Sequence, residues 1–83
     1  MAEKKITQAG LFALLERQQR RCALTGRKLE PTDAALDHSI PLGRGGANDL
    51  DNVQIVHRDI NNAKGSMTTA EFIEMCKEVV RYV

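Results

Sequence analysis

Pro41 and the glycines at 43, 45 and 46 interrupt the chain between two short apolar segments, and this break limits the fold more than any other feature. Before it stands Ala34-Ala35-Leu36-Asp37-His38-Ser39-Ile40, a short, fairly apolar run that ends at Pro41 and reads as a strand. After it, Val53-Gln54-Ile55-Val56-His57 alternates and is rich in β-branched residues, the pattern of a second strand. The loop between them, "LGRGGANDLDN", is polar and Gly-rich, so the two strands are expected to form an antiparallel pair. Residues 58–64, "RDINNAK", supply one or two helical turns that Gly65 would stop.

Two longer elements flank this centre. Residues 6–21 read as a helix, with Thr7 as cap and Leu11, Leu14 and Leu15 at helical spacing. Gly10 weakens its first turns, and the Arg20-Arg21 pair suits the negative end of its dipole. Residues 22–30 read as a tight turn with short extended arms, signalled by Thr25-Gly26, and 31–33 as a second turn. At the other end Thr68 and Glu71 fit a capping box, and Met67 with Phe72 fits the hydrophobic staple around it. Phe72, Ile73, Cys76, Val79, Val80 and Val83 then share one helix face, on which Cys76 is expected to be a small buried hydrophobe.

At 83 residues the chain is expected to form a single domain, 1–83, with a small and marginal core. Its net charge of +1, from 12 basic and 11 acidic residues, is not the strong basic surplus of a protein that coats nucleic acid, although balanced totals can hide a basic face. Phe12, Phe72 and Tyr82 are too few aromatics for a base-stacking surface. No apolar run approaches the roughly 20 residues of a membrane span, and no secretory segment is recognisable, so no membrane partner is expected. With two cysteines, reduced thiols and a cytosolic setting are expected.

A turn needs Pro and Gly, but it does not need the acid and imidazole of Asp37-His38 beside it. Taken singly, His38 would ordinarily be a structural histidine, Asn52 a turn residue and Asn61 a helix cap. Their order is more specific: Asp37-His38 on the first strand, Asn52 at the far end of the loop, Asn61 in "NNAK" on the short helix. Together with the Cys-x-x-x-Gly turn at 22–26, "LDHSIPLGRGG", "NDLDNVQIV" and "NNAKGS", this order resembles the HNH nuclease family across residues 22–66. The third motif position is Asn61, as in the HNH domain of RNA-guided CRISPR nucleases, where an Asn-x-x-Lys run also occurs. The resemblance implies an α+β fold, a small ββα-metal core with flanking N- and C-terminal helices.

It also implies a chemistry. His38 would be the general base, since neutral imidazole is available near pH 7. Asp37 and Asn61 would offer hard oxygen ligands to a single divalent ion, Mg²⁺ first, with Mn²⁺ or another divalent ion able to take its place. Asn52 would fix the loop and hold His38. Arg44 and Lys64 are candidate phosphate contacts, and His57 is a candidate DNA contact with a strand cap as its alternative. Adjacent strand residues point to opposite faces, so Asp37 and His38 can serve one site only if the strand bends or ends there. Many relatives hold a structural zinc between two Cys-x-x-Cys pairs. Here Cys22 stands with Thr25 and His57 with Ile60, which cannot complete a tetrahedral site, so no structural zinc is expected. The implied activity is a Mg²⁺-dependent DNA endonuclease or nickase leaving 5′-phosphate and 3′-hydroxyl ends. The alternative is a non-catalytic nucleic-acid-binding module of the same fold. With so few basic residues, specific targeting of DNA would need a partner, a dimer or a larger parent protein.

Overall fold

The computed structural model describes residues 4–83. Helix α1 (Gln8–Arg17) leads through a turn to strand β1 (Ala34–His38); two 3₁₀ turns (Leu42–Arg44 and Leu50–Asn52) occupy the loop before strand β2 (Val53–His57). Helices α2 (Arg58–Lys64) and α3 (Thr69–Tyr82) complete the chain. The strands pair antiparallel, with Ala34 opposite His57, Asp37 opposite Gln54 and His38 opposite Val53. The fold is α+β, a ββα core between flanking helices, as the resemblance implied.

The apolar residues of β2 face inward. Val53, Ile55 and Val56 are buried, and Val56 is fully so. A side chain of that size contributes roughly 1.5–3 kcal/mol when withdrawn from water. Cys22, Leu29, Ile55 and Val56 form the buried cluster, with Leu14 and Leu15 of α1 and Ile60 of α2 packed against it. The turn at residues 22–26 closes as expected, with Gly26 N–H donating to Cys22 O at 2.9 Å and Gly26 at a positive φ.

Helix α1 is shorter than its sequence pattern. Thr7 caps it, accepting from Gly10 N–H at 3.0 Å, but it ends at Arg17 instead of running to 21. The cause lies in β2, whose outer edge has no partner strand. Gln18 leaves the helix to serve that edge: its Oε1 accepts from Ile55 N–H at 3.0 Å and its Nε2 donates to Ile55 O at 2.8 Å. Unsatisfied strand edges are costly when covered by protein, so the Gln18 side chain, with Ala23 N–H donating to Ile55 O at 3.0 Å, takes the place of a neighbouring strand. To make the exit, Gln19 and Arg20 take left-handed backbone angles, with φ of 56° and 57°. Arg20 and Arg21 therefore lie beyond the helix they were expected to end. Gly10, read from sequence as a weak point in α1, sits where a Cβ would fall 2.7 Å from Leu50 Cδ1, so its absence lets the helix approach the loop.

Helix α3 begins with the expected capping box: Thr68 Oγ1 accepts from Glu71 N–H, and the Glu71 carboxylate accepts from Thr68 N–H at 2.9 Å. Its apolar stripe departs from expectation. Phe72 is the one buried residue of the helix, and Cys76, expected inside, is exposed. Val79, Val80 and Val83 are exposed too. The helix is anchored by its first turn, and the rest projects beyond the small core. No helix among the described residues is long and apolar enough to cross a membrane.

Glu71 also clasps Arg44 of the loop through two hydrogen bonds. The Arg44 guanidinium, aided by Thr68 N–H, holds the Glu71 carboxyl down to about 2. A depressed carboxyl stabilises the fold when ionised. Its contribution is whole above the ordinary value of 4.5 and is lost as pH falls toward about 2. The difference in unfolding free energy between the parent and Glu71→Gln, which keeps the capping geometry, should be constant above that upper value and shrink below it. Denaturant melts at a series of pH values measure this.

Candidate active site

The site is built where β1 ends. Asp37 and His38 are its last two residues, and the chain turns away at Ser39, whose N–H donates to Asn52 O at 2.8 Å. Because the strand stops there, the rule that neighbours face opposite ways no longer separates them. Asp37, His38 and Asn61 all line one cleft of about 220 Å³, walled by Leu36, Pro41, Leu42 and Gly65. A larger apolar groove of about 680 Å³ lies between α3 and the turn at residues 23–25. It contains no converging acid, imidazole and amide, so the chemistry belongs to the smaller cleft.

Asp37 is 4% exposed, and both of its oxygens are engaged. Oδ1 accepts from Lys64 Nζ at 2.9 Å, and Oδ2 from Gln54 Nε2 at 2.9 Å. Gln54 is its cross-strand partner and donates as well to Thr69 Oγ1 at 3.2 Å. Lys64 is only 1% exposed and donates a second hydrogen bond, to His38 O at 3.0 Å. The expectation that Lys64 contacts phosphate is therefore corrected. Its ammonium is enclosed at the end of α2 and ties that helix to β1.

His38 is half-buried, and its Nε2 lies 2.9 Å from Asn48 Oδ1. Asn61 lines the cleft from α2, and its amide is spent on no described residue. Asn52 does not touch the imidazole. Its Nδ2 donates to Ile40 O at 2.9 Å and Ala47 O at 2.8 Å, while its Oδ1 accepts from Ile40 N–H at 3.0 Å. One side chain thus closes both ends of the Pro-Gly loop. Gly46 lies against this junction, where a Cβ would sit 1.7 Å from Ile40 O and 2.9 Å from Asn52 Nδ2.

Two other expected contacts lie elsewhere. His57 pairs across from Ala34, at the opposite end of the ladder from His38 and four residues along the strand, roughly 13 Å. It caps α2, its Nδ1 accepting from Asp59 N–H at 3.1 Å, a helix cap where the sequence reading offered a strand cap. Arg44 is half-exposed beside the cleft wall but occupied by Glu71. Asn48 and Gln54 went unnoticed in the sequence, and Glu71 was read there only as part of the α3 capping box, not as the partner of Arg44. Gln54 alone had a signal, since an antiparallel register sets it opposite Asp37.

At the four positions where relatives carry zinc ligands, Cys22 is buried and Ile60 packs against the core. Burial pushes the Cys22 thiol up, but hydrogen bonds from the Thr25 side chain and from the backbone N–H groups of His57, Leu24 and Thr25 outweigh it and bring the thiol below its ordinary value. Among the described residues no three His, Cys, Asp or Glu side chains converge. The cleft offers a different donor set. A carboxylate has about four acceptor positions, of which Asp37 uses two, and the Asn61 amide oxygen is unspent. Two hard oxygens beside open space fit an ion such as Mg²⁺ that keeps water and shares its shell with phosphate. Lys64 already balances the charge on Asp37, so these residues alone would hold such an ion weakly.

A family model for HNH endonuclease matches residues 20–67, more than half of the chain. The chain belongs to the HNH endonuclease family. Membership brings a nuclease-type, nucleic-acid-related function, and the family generally uses a divalent metal. A search of curated proteins returned no match.

Two stability predictions follow from this geometry. Lys64→Met should cost about 3–5 kcal/mol, because it strands a buried carboxylate; Asp37→Asn with Lys64→Met should cost less than the separate losses combined. Gly46→Ala should cost at least the roughly 1–3 kcal/mol of an overpacked site, since the clash is with backbone. Chemical denaturation of the parent and of Lys64→Met, Asp37→Asn, the double variant and Gly46→Ala gives each value.

Proposed function

We propose that the chain is a divalent-metal-dependent DNA endonuclease or nickase, acting as one catalytic unit in a cytosolic setting. The observation that carries this reading is the convergence of Asp37, His38 and Asn61 on one open cleft, with one imidazole nitrogen engaged by Asn48. A binding module has no use for a base beside the remaining acceptor positions of Asp37 and the unspent Asn61 oxygen.

In this mechanism His38 takes a proton from a water as its oxygen attacks the phosphorus. The bond from phosphorus to the 3′ oxygen breaks, leaving a 5′-phosphate and a 3′-hydroxyl. Asp37 and Asn61 would hold Mg²⁺, which supplies Lewis-acid stabilisation of the phosphate and of the departing oxygen. Lys64 and Gln54 aim the Asp37 carboxylate, each using one of its oxygens. Asn52 keeps the loop folded, so that the base and the carboxylate keep their spacing. Arg44 becomes a phosphate contact once DNA displaces the Glu71 carboxylate.

Supercoiled plasmid with the protein and Mg²⁺ should become nicked or linear, and EDTA should stop it. His38→Ala should lower the rate by about 10²–10⁴-fold, the usual contribution of a general base, with an unchanged circular dichroism spectrum. Equal cutting by parent and variant would refute the role of His38. A parent that binds DNA but fails to cut it whichever divalent ion is supplied would leave the binding-module reading in its place.

A further inference from the structure

We infer that Asn48 is the residue that sets the tautomer and orientation of His38, making Nδ1 the nitrogen that receives the proton. The inference rests on the nuclease reading for its catalytic consequence, but its structural content stands apart from it.

An imidazole serves as a base only through a nitrogen that carries a lone pair, and a neutral ring has one such nitrogen. Which one it is depends on the partner of the other. Nε2 of His38 lies 2.9 Å from the side-chain oxygen of Asn48. With the Asn48 amide turned oxygen-first toward the ring, as the structure has it, Nε2 carries the hydrogen and donates it. Nδ1 then holds the lone pair, and no described residue hydrogen-bonds to it. The adjacent Asp37 and Lys64, the latter donating to the His38 carbonyl, are paired with each other.

Asn48 is exposed, yet its backbone is held on both sides. On one side the Ala47 carbonyl accepts from Asn52 Nδ2 at 2.8 Å. On the other, Asp49 accepts from Asp51 N–H at 3.0 Å to cap the second 3₁₀ turn, and Leu50 N–H donates to Lys4 O at 2.8 Å. The influence of Asn52 on His38 therefore passes through Asn48: one amide folds the loop, and the loop presents another amide to the ring. A free polar side chain on a mobile loop could not hold a tautomer; one on a clamped segment can. Removing the partner that orients a metal-bound histidine commonly costs 10–100-fold in affinity or activity, and the same scale is taken here for an oriented base.

The test uses ¹⁵N-labelled full chain and two variants, Asn48→Ala and Asn48→Asp. Long-range ¹H–¹⁵N spectra, at a pH where the ring is neutral, report the tautomer of His38, with His57 as internal reference. The parent should show the Nε2–H form. Asn48→Ala should show a mixture of both forms while its melting transition stays cooperative, and Asn48→Asp, which keeps an accepting oxygen at the same reach, should restore Nε2–H. In plasmid cleavage, Asn48→Ala should lower kcat by about 10–100-fold with KM nearly unchanged. A parent in the Nδ1–H form, or an Asn48→Ala variant with the tautomer of the parent, overturns the inference whether or not the protein cuts DNA. A parent that does not cut but shows the expected tautomers overturns the nuclease reading and leaves the role of Asn48 on the ring intact.

Discussion

A carboxylate and an ammonium enclosed together hold β1 to α2, and the cleft exists because they do. Asp37 and Lys64 are both almost wholly withdrawn from water. Neither could be there alone, since an unpaired buried charge costs several kcal/mol. Paired, and with Gln54 and the His38 carbonyl taking the remaining hydrogen bonds, they satisfy each other. The pair itself adds little net stability compared with an apolar replacement. What it supplies is position: it brings the end of the strand and the end of the helix together, so that His38 and Asn61 face the same opening.

The loop beside that pair is ordered by a second polar centre. Asn52 joins Ile40 to Ala47, Gly46 leaves room for the approach, and Asn48 is carried to the imidazole as a result. Helix α3 is drawn in as well, although it lies outside the motif core. Thr69 N–H donates to Ser39 O at 2.9 Å, Thr69 Oγ1 receives Gln54, and Glu71 clasps Arg44. The first turn of α3 is thus sewn to the site, whereas its later turns extend from it with their apolar face uncovered. The core near Cys22 is held differently, by the packing of Leu29, Ile55, Val56 and Ile60.

Much of the fold could be read from residue order, and the reasons are local. Both strands, the short helix before Gly65, the Thr7 cap and the Thr68–Glu71 box each depend on residues within a few positions of one another. The errors came where distant groups competed with local preference. Gln18 has helical neighbours on one side, yet the open edge of β2 took its side chain and ended α1 early. Cys76 lies on a helical stripe, yet the core is too small to reach it. Lys64 looks like a surface charge beside a glycine, and nothing nearby in sequence reveals that Asp37 waits for it. The convergence of Asp37, His38 and Asn61 was expected from motif order; Asn48 was not, because a polar loop residue carries no periodic signal.

The sequence by itself determined the element types, the strand–loop–strand–helix order and the candidate acid, base and amide, because spacing, capping and chain-breaking residues act over short range. Only the tertiary structure decided which polar groups meet: Lys64 with Asp37, Gln18 with Ile55, Asn48 with His38. Those pairings are set by the requirement that donors and acceptors shut away from water find one another, and that requirement is imposed by the packed chain as a whole.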